Sequence, residues 1–315
     1  MNRYSAKRIL AFCLLVIVSI GIPGCSGPAK KMSPSKDTEL QRLMAAGHSS
    51  FSQSRIDRAS HYYREALFQA RVMDNSSAIS DAAYNLAACH IRMENYEYAK
   101  NLLQEAREEI LNNRGNITQV LLVEAKIARV QNKLDESWSL TERLLTHLAS
   151  HPSDEILLQV YVLRGHIAGD QGDLVRADDE LKNGESYTRN VSSPLVLAGY
   201  AGLAGRIHLR KNRPDMAAKE FDREAGLLKE AEQYREMLLS LENAAEAHEK
   251  SGSYITAADR FIRAARSAFA LEDIKHALQL GKRSLAAANA ANDQTSVSRA
   301  QRLINEINTS SHRVN

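Results

Sequence analysis

Three histidines recur at one position of a repeating sequence pattern and could bind a metal ion. His90, His208 and His248 each lie three residues after a small residue of that pattern. Imidazoles are common zinc ligands, but equivalent positions on neighbouring packed helices lie about 10 Å apart, too far to share one ion. We therefore interpret the histidines as partly buried side chains with hydrogen-bonded nitrogens, and the sequence predicts no metal site.

The sequence contains no recognisable catalytic or cofactor-binding motif. It has no phosphate-binding loop, HExxH segment or nucleophile elbow. The run GYAGLAG at residues 199–205 differs from the Gly-x-Gly-x-x-Gly spacing of dinucleotide sites, and it falls inside a predicted helix. We interpret these glycines as allowing close helix packing, and Cys89 as a small core side chain. We expect no catalytic residues and no cofactor.

A short leader with the features of an export signal begins the chain. Arg3, Lys7 and Arg8 precede an apolar stretch at residues 9–22. Fourteen residues suit the core of a signal peptide, whereas a membrane-spanning helix needs about 20. The stretch ends in the sequence Ile22-Pro23-Gly24-Cys25.

These four residues resemble the lipobox of bacterial lipoproteins, in which an aliphatic residue, a variable residue and a small residue precede cysteine. The resemblance implies lipidation of Cys25, cleavage after residue 24, and acylation of the new amino terminus. Several acyl chains give a stable membrane anchor. Ser26 in the next position implies sorting to the periplasmic face of the outer membrane. Two alternatives stay open, namely an ordinary signal peptide cut elsewhere and an uncleaved anchor.

The chain after the leader is electrically neutral. The net charge of +3 reflects 41 basic and 38 acidic residues, and three of the basic residues lie in the first 24 positions, which contain no acid. The composition therefore argues against nucleic-acid binding, which depends on neutralising phosphates. Residues 25–37 are polar and contain two prolines, so we interpret them as the lipidated cysteine followed by a flexible tether.

From residue 38 to residue 309 the chain repeats itself about every 40 residues. A small residue recurs at intervals of 40 residues, with one interval of 38, and a second small position lies twelve residues before it. A residue suited to a turn lies between the two. The first set is Ala59, Ala99, Ser137, Ala177, Ala217, Ala257 and Val297; the second is Gly47, Ala87, Ala125, Gly165, Gly205, Ala245 and Leu285; the turn set is Ser54, Glu94, Asn132, Gly172, Asn212, Gly252 and Asn292.

Each unit is predicted to be a helix A, a tight turn and a helix B, with small residues where the two helices cross. The pattern resembles the tetratricopeptide repeat, and the second unit carries its signature residues at Asn85, Leu86, Ala87, Tyr96, Ala99 and Ala106. The sequence therefore predicts an all-α fold, a TPR-like α-solenoid of about seven helix-turn-helix repeats, followed by a polar tail at residues 310–315. The last unit departs from the pattern and is interpreted as a cap.

The resemblance implies that the A helices line an inner groove that binds partner segments. The residues that fall on this groove are Tyr84, Ile91, Arg92, Lys126, Arg129, His166, Arg206 and Arg210. In the sixth unit the same face carries Glu242, Glu246 and Glu249, so a basic middle is expected beside an acidic end. The alternative is a solvated face whose charges only keep the protein soluble.

These features together predict a non-enzymatic scaffold or adaptor, anchored by lipid in the bacterial cell envelope. Its partners would be other proteins or peptides, acidic segments in particular, and the membrane through the anchor, but not nucleic acid. It would help assemble an envelope complex, as pilotins, barrel-assembly components and cell-wall-enzyme adaptors do. Two alternatives remain, a sensor that binds a small ligand and an enzyme with an unrecognised site. The predicted groove wall is too charged for the apolar pocket that a sensor needs.

Overall fold

The computed structural model of the protein describes residues 36–311. In this range the chain forms fourteen α-helices and no strand. The leader, Cys25, the tether up to residue 35 and the end of the tail lie outside the described residues. No helix between residues 36 and 311 is long and apolar enough to cross a membrane. The helices are α1 Lys36–Ser52, α2 Ile56–Val72, α3 Ser76–Arg92, α4 Tyr96–Asn112, α5 Thr118–Val130, α6 Leu134–Ser150, α7 Asp154–Asp170, α8 Leu174–Glu185, α9 Pro194–Arg210, α10 Pro214–Glu230, α11 Tyr234–Lys250, α12 Tyr254–Ala270, α13 Ile274–Ala290 and α14 Gln294–Ser311.

The helices pack as seven consecutive hairpins, which confirms the predicted fold class. Odd-numbered helices are the A helices and even-numbered helices are the B helices, and each A helix packs along the B helix that follows it. Most helices are 17 residues long, and three residues separate helix A from helix B. The period of 40 residues therefore arises from longer helices than those of a 34-residue repeat. Helix α1 begins at Lys36, two residues before the predicted start of the repeats.

The turn inside each hairpin uses a residue with left-handed backbone conformation. All seven predicted turn positions have positive φ, including Glu94 (φ 59°) and Gly172 (φ 82°). The residue after the left-handed position donates back to the helix; for example, the N–H of Asn95 donates to the carbonyl of His90 at 2.8 Å. This bond satisfies a carbonyl that the helix end leaves unpaired.

The same left-handed turn also occurs in four of the six connections between hairpins, which the sequence pattern did not reveal. The residues are Asp74, Arg114, Glu232 and Glu272, with φ between 50° and 63°. None of them is Gly or Asn, the residues that usually mark this conformation. The structural unit of the array is therefore one helix and one turn, about 20 residues long.

Small residues make room for large ones where helices cross. A Cβ atom on Gly47 would lie 2.5 Å from Tyr63 Cε1, and one on Gly205 would lie 2.7 Å from Phe221 Cε1, as the repeat alignment predicts. Gly165 differs, because its Cβ would meet Leu203 of the next A helix at 2.5 Å. The small residue of the fourth unit therefore serves packing between repeats.

The middle of the array is less regular than its ends. Helix α2 packs along α3, α10 along α11 and α12 along α13, whereas α4 and α5, α6 and α7, and α8 and α9 meet over short crossings. The connections here are longer or contain proline, at Pro152 and Pro194, and α8 has only 12 residues. Two arginines stacked on Trp138 connect the hairpins in this region. The guanidinium carbons of Arg164 and Arg176 lie 3.8 and 3.6 Å from the centre of the Trp138 ring.

Candidate functional site

Five of the eight predicted groove residues line one continuous cleft. Lys126 and Arg129 come from α5, His166 from α7, and Arg206 and Arg210 from α9. Lys126, Arg129 and His166 line a cleft of about 590 Å³, and Arg129, His166, Arg206 and Arg210 line an adjoining cavity of about 60 Å³. We call these five residues the basic cleft and the smaller space the inner cavity.

The repeat register positions the side chains of the basic cleft. Lys126, His166 and Arg206 each follow the second small residue of their unit, so they occupy the same place on three successive A helices. The cleft also coincides with the irregular middle of the array. Here α7 contacts both α5 and α9 directly, each of these three helices meets the preceding B helix only over a short crossing, and α5 has only 13 residues. A cavity therefore opens at this place in the fold.

The basic cleft carries more positive than negative charge. Arg129 Nε forms a salt bridge with Asp170 Oδ2 at 2.7 Å, and Lys126 Nζ donates to Gln159 Oε1 at 2.9 Å. Arg210 Nη1 donates to the backbone carbonyl of Gly169. Within residues 36–311, neither Arg206 nor Arg210 forms a salt bridge with a carboxylate. The two guanidinium groups are therefore available for an anionic ligand.

The pKa directions in the basic cleft agree with this excess of positive charge. Burial holds the pKa of His166 well below its ordinary value, and the guanidinium groups of Arg206, Arg129 and Arg210 lower it further. Burial also lowers the pKa of Lys126 and of Arg206. The contributions of the arginines to the shift of His166 reflect the excess of positive charge in the cleft, whereas burial disfavours a charge of either sign.

A buried carboxylate behind Arg206 is a functional residue that the sequence did not indicate. Glu224 of α10 is only 9% exposed, and burial raises the pKa of its carboxyl group, whereas nearby Arg206 lowers it. The carboxylate reaches this place because a Cβ atom on Gly202 of α9 would overlap it. The middle glycine of the GYAGLAG run therefore admits a partial countercharge for Arg206, in addition to allowing helix packing.

The outer part of the cleft has an apolar wall. Val130 and Leu195 are 59% and 52% exposed, and Val162 and Val196 line the same space. The sequence analysis expected a wall too charged for an apolar pocket, but the first turn of α9 contributes apolar side chains that the repeat positions did not include. The cleft can accept apolar and anionic groups together.

The other three predicted groove residues do not line this cleft. All three lie on α3, where Tyr84 and Ile91 pack against the core of the first hairpins and Arg92 is exposed. A separate opening beside the first turns of α3 is lined by residues such as Ser76 and Ser80, and none of the three predicted residues lines it. The basic cleft therefore contains only the predicted residues of α5, α7 and α9.

The predicted acidic end is partly paired within the protein. Arg283 of α13 contacts Glu246 at 2.6 Å and Glu249 at 3.1 Å, and His276 Nε2 lies 3.0 Å from Glu242. The sequence pattern missed this pairing because the partners come from the following A helix. These contacts join repeats six and seven, and Arg283 offsets part of the negative charge of the three glutamates.

The repeated histidines have different environments. His248 Nε2 lies 3.1 Å from Asp222 Oδ2, as expected for a hydrogen-bonded imidazole. The expectation was wrong for His90, whose two ring nitrogens have no partner and whose pKa is lowered by burial and by Arg64. Tyr98 packs its ring edge-to-face against His90, with the ring centres 4.5 Å apart. In the described range, no three potential ligands lie close enough to hold a metal ion.

Cys89 is fully buried, which confirms its interpretation as a core side chain. Burial raises the pKa of its thiol to about 11, so the thiolate is scarce at neutral pH.

No family model and no curated protein matches this sequence, but solved structures share its fold. A Rap conjugation gene regulator from a plasmid, in complex with a Phr peptide, has TM-score 0.64 and 14% identity over 93% of this chain and 82% of its own. NprR in complex with its cognate peptide NprX has TM-score 0.61 and 15% identity over 87% and 78%. A signal transduction ATPase with a tetratricopeptide repeat sensor from Pyrococcus horikoshii has TM-score 0.61 and 13% identity over 88% of this chain.

The present chain spans only 41% of that archaeal ATPase. At these identities the likeness concerns the fold alone. The chain is a TPR-like α-solenoid.

Proposed function

We propose that the protein is a non-enzymatic interaction scaffold that binds an acidic segment of a partner protein in the basic cleft. The observation that carries this proposal is the convergence of Lys126 and Arg129 from α5 with Arg206 and Arg210 from α9 on the basic cleft. Planar guanidinium groups bind carboxylates through paired hydrogen bonds, and helical-repeat grooves suit extended peptides. The apolar wall at Val130 and Leu195 would contact the partner's apolar side chains.

The fold comparison supports a peptide as the ligand. Two neighbours with this fold were solved with peptides bound, namely the Rap regulator and NprR. A cleft of about 590 Å³ is large enough for a few residues of an extended chain. The remainder of such a peptide would lie along the neighbouring A helices.

The scaffold would lie in the bacterial cell envelope, where a lipid on Cys25 would anchor it to the periplasmic face of the outer membrane. The support is the sequence of the leader and of Ile22 to Cys25. The tether of residues 26–35 can extend at most about 3.5 Å per residue, or roughly 35 Å. The partner would therefore be recruited close to the membrane, where an adaptor of an envelope complex acts.

A second candidate function is that of a sensor for a small anionic ligand. The apolar wall and the cleft volume of about 590 Å³ favour it, because ligand pockets commonly measure about 300–1,000 Å³. A sensor would bind its ligand without any partner protein present. Calorimetry of the purified protein with candidate metabolites therefore distinguishes the two functions.

Charge reversal in the basic cleft tests the proposed function. The double variant Arg129→Glu with Arg206→Glu should reduce capture of the partner from solubilised envelopes by at least about tenfold, since a reversed guanidinium repels a carboxylate. Capture by the natural protein should also weaken as salt rises, because the screening length falls to about 8 Å at physiological ionic strength.

The matched control reverses two exposed charges away from the cleft, Lys219→Glu with Arg263→Glu. This control should capture the partner like the natural protein, and both double variants should keep a helical circular dichroism spectrum. Unchanged capture by the Arg129 and Arg206 variant would show that recognition lies elsewhere on the molecule.

A further inference from the structure

We propose that the inner cavity is an oxyanion site and that His166 takes up a proton when the anion binds. This inference rests on the proposed function, because the inner cavity shares Arg129 and His166 with the rest of the basic cleft. It specifies the chemical group recognised there, a small doubly charged oxyanion such as a sulfate or phosphate group. It also makes binding at this site dependent on pH.

The inner cavity has the size and the donors for such a group. Its volume is about 60 Å³, and one water molecule needs about 10–15 Å³ by the same kind of measure, so a few oxygen-sized atoms fit. Arg129, Arg206 and Arg210 bring guanidinium groups to it from two helices on either side of His166. Three guanidinium groups around one small space match an oxyanion with several acceptor oxygens.

The charged groups that surround His166 leave it in a positive environment. The charged groups of α5 and α9 that surround His166 are cationic. The carboxylate of Asp170, which lies on α7 like His166, forms a salt bridge with Arg129. Glu155 is exposed at the outer part of the cleft, and Glu224 of α10 acts through Arg206. The groups considered are Lys126, Arg129, Glu155, Asp170, Arg206, Arg210 and Glu224.

The hydrogen-bond geometry requires a neutral imidazole while the cavity is empty. Arg206 Nη2 lies 3.3 Å from His166 Nε2, and a guanidinium nitrogen can only donate. His166 Nε2 must therefore be the acceptor, and its proton resides on Nδ1. An anion in the cavity would accept from Arg206 instead, which frees Nε2 to bind a proton and donate to the same anion.

The direction of the coupling follows from electrostatics. Burial and the three arginines hold the pKa of His166 well below its ordinary value in the empty protein. An anion offsets the arginines and raises that pKa, so the complex binds a proton that the free protein lacks. By linkage, anion binding strengthens as pH falls through the pKa of His166 in the complex and weakens above it.

Sulfate is a suitable probe because it keeps both negative charges at every pH used. Titration of the mature protein with sodium sulfate by calorimetry, at about pH 5.5 and about pH 8, should give at least tenfold tighter binding at the lower pH. Repeating the titration in buffers of different ionisation enthalpy should reveal proton uptake during binding. The His166 imidazole resonances should move toward the protonated form when sulfate is added at constant pH.

Two variants separate proton uptake from anion binding. His166→Gln keeps an acceptor for Arg206 but cannot be protonated, so it should bind sulfate with the same affinity at both pH values. His151→Gln, at an exposed histidine outside the cleft, should keep the pH dependence of the natural protein.

Equal sulfate affinity of the natural protein at both pH values would overturn the coupling to His166 and leave the proposed function standing. Absence of sulfate binding at both pH values would overturn the oxyanion site as well. The proposed function fails separately, if charge reversal in the basic cleft leaves partner capture unchanged.

Discussion

At the scale of single residues, Arg206 shows what the sequence can and cannot predict. Its place on an A helix follows from the repeat register, because it comes directly after the small residue Gly205. The repeat register does not predict the electrostatic partner of Arg206. That partner, Glu224, lies on another helix, and the residue type Glu gives no indication of burial. The same reason explains why Arg283 was not predicted to neutralise Glu246.

The proposed location of the protein depends on one residue, because it requires lipidation of Cys25. Cells fed a labelled fatty acid should incorporate the label into this protein, and Cys25→Ser should abolish labelling and mislocalise the protein. Cys89→Ala is the matched control and should keep the label, since the Cys89 thiol is buried in the helical core. Labelling that persists in Cys25→Ser would contradict lipidation at this position.

At the scale of helices and turns, the sequence predicts the A-to-B turns well and the B-to-A turns poorly. Gly172 and Asn212 mark left-handed turns by their residue type, whereas Arg114 and Glu272 adopt the same conformation without such a mark. A non-glycine residue in this conformation costs about 1 kcal/mol, which the repeated backbone bond at the helix end helps to offset. Residue preference alone is therefore too weak to identify these turns.

Two helical glycines with different surroundings test the packing between helices. Gly205→Ala should lower the free energy of unfolding by about 1–3 kcal/mol, because its Cβ would lie 2.7 Å from the fully buried ring of Phe221. Gly226→Ala, with open space around its Cβ position, should raise it by up to about 1 kcal/mol through helix propensity. Urea unfolding followed by circular dichroism measures both. Similar effects of the two substitutions would refute the close crossing of α9 and α10.

At the scale of the whole molecule, the irregular middle of the array produces the candidate site. The ends are regular stacks of helices with continuous apolar clusters, and the middle has shorter crossings and separate, smaller clusters. The altered spacing of the third unit and the positions of Pro152 and Pro194 mark this region in the sequence. The sequence does not show that a cleft opens there, because that depends on how far neighbouring hairpins separate.

Photocrosslinking from inside the cleft tests the central claim most directly. A photoreactive phenylalanine analogue at Gln159, which lines the cleft, should crosslink to a partner protein in intact envelopes, and Arg206→Glu should remove that product. The same analogue at Arg263, an exposed position on α12, is the control and should give no such product. A partner that crosslinks from position 263 and not from position 159 would contradict recognition in the basic cleft.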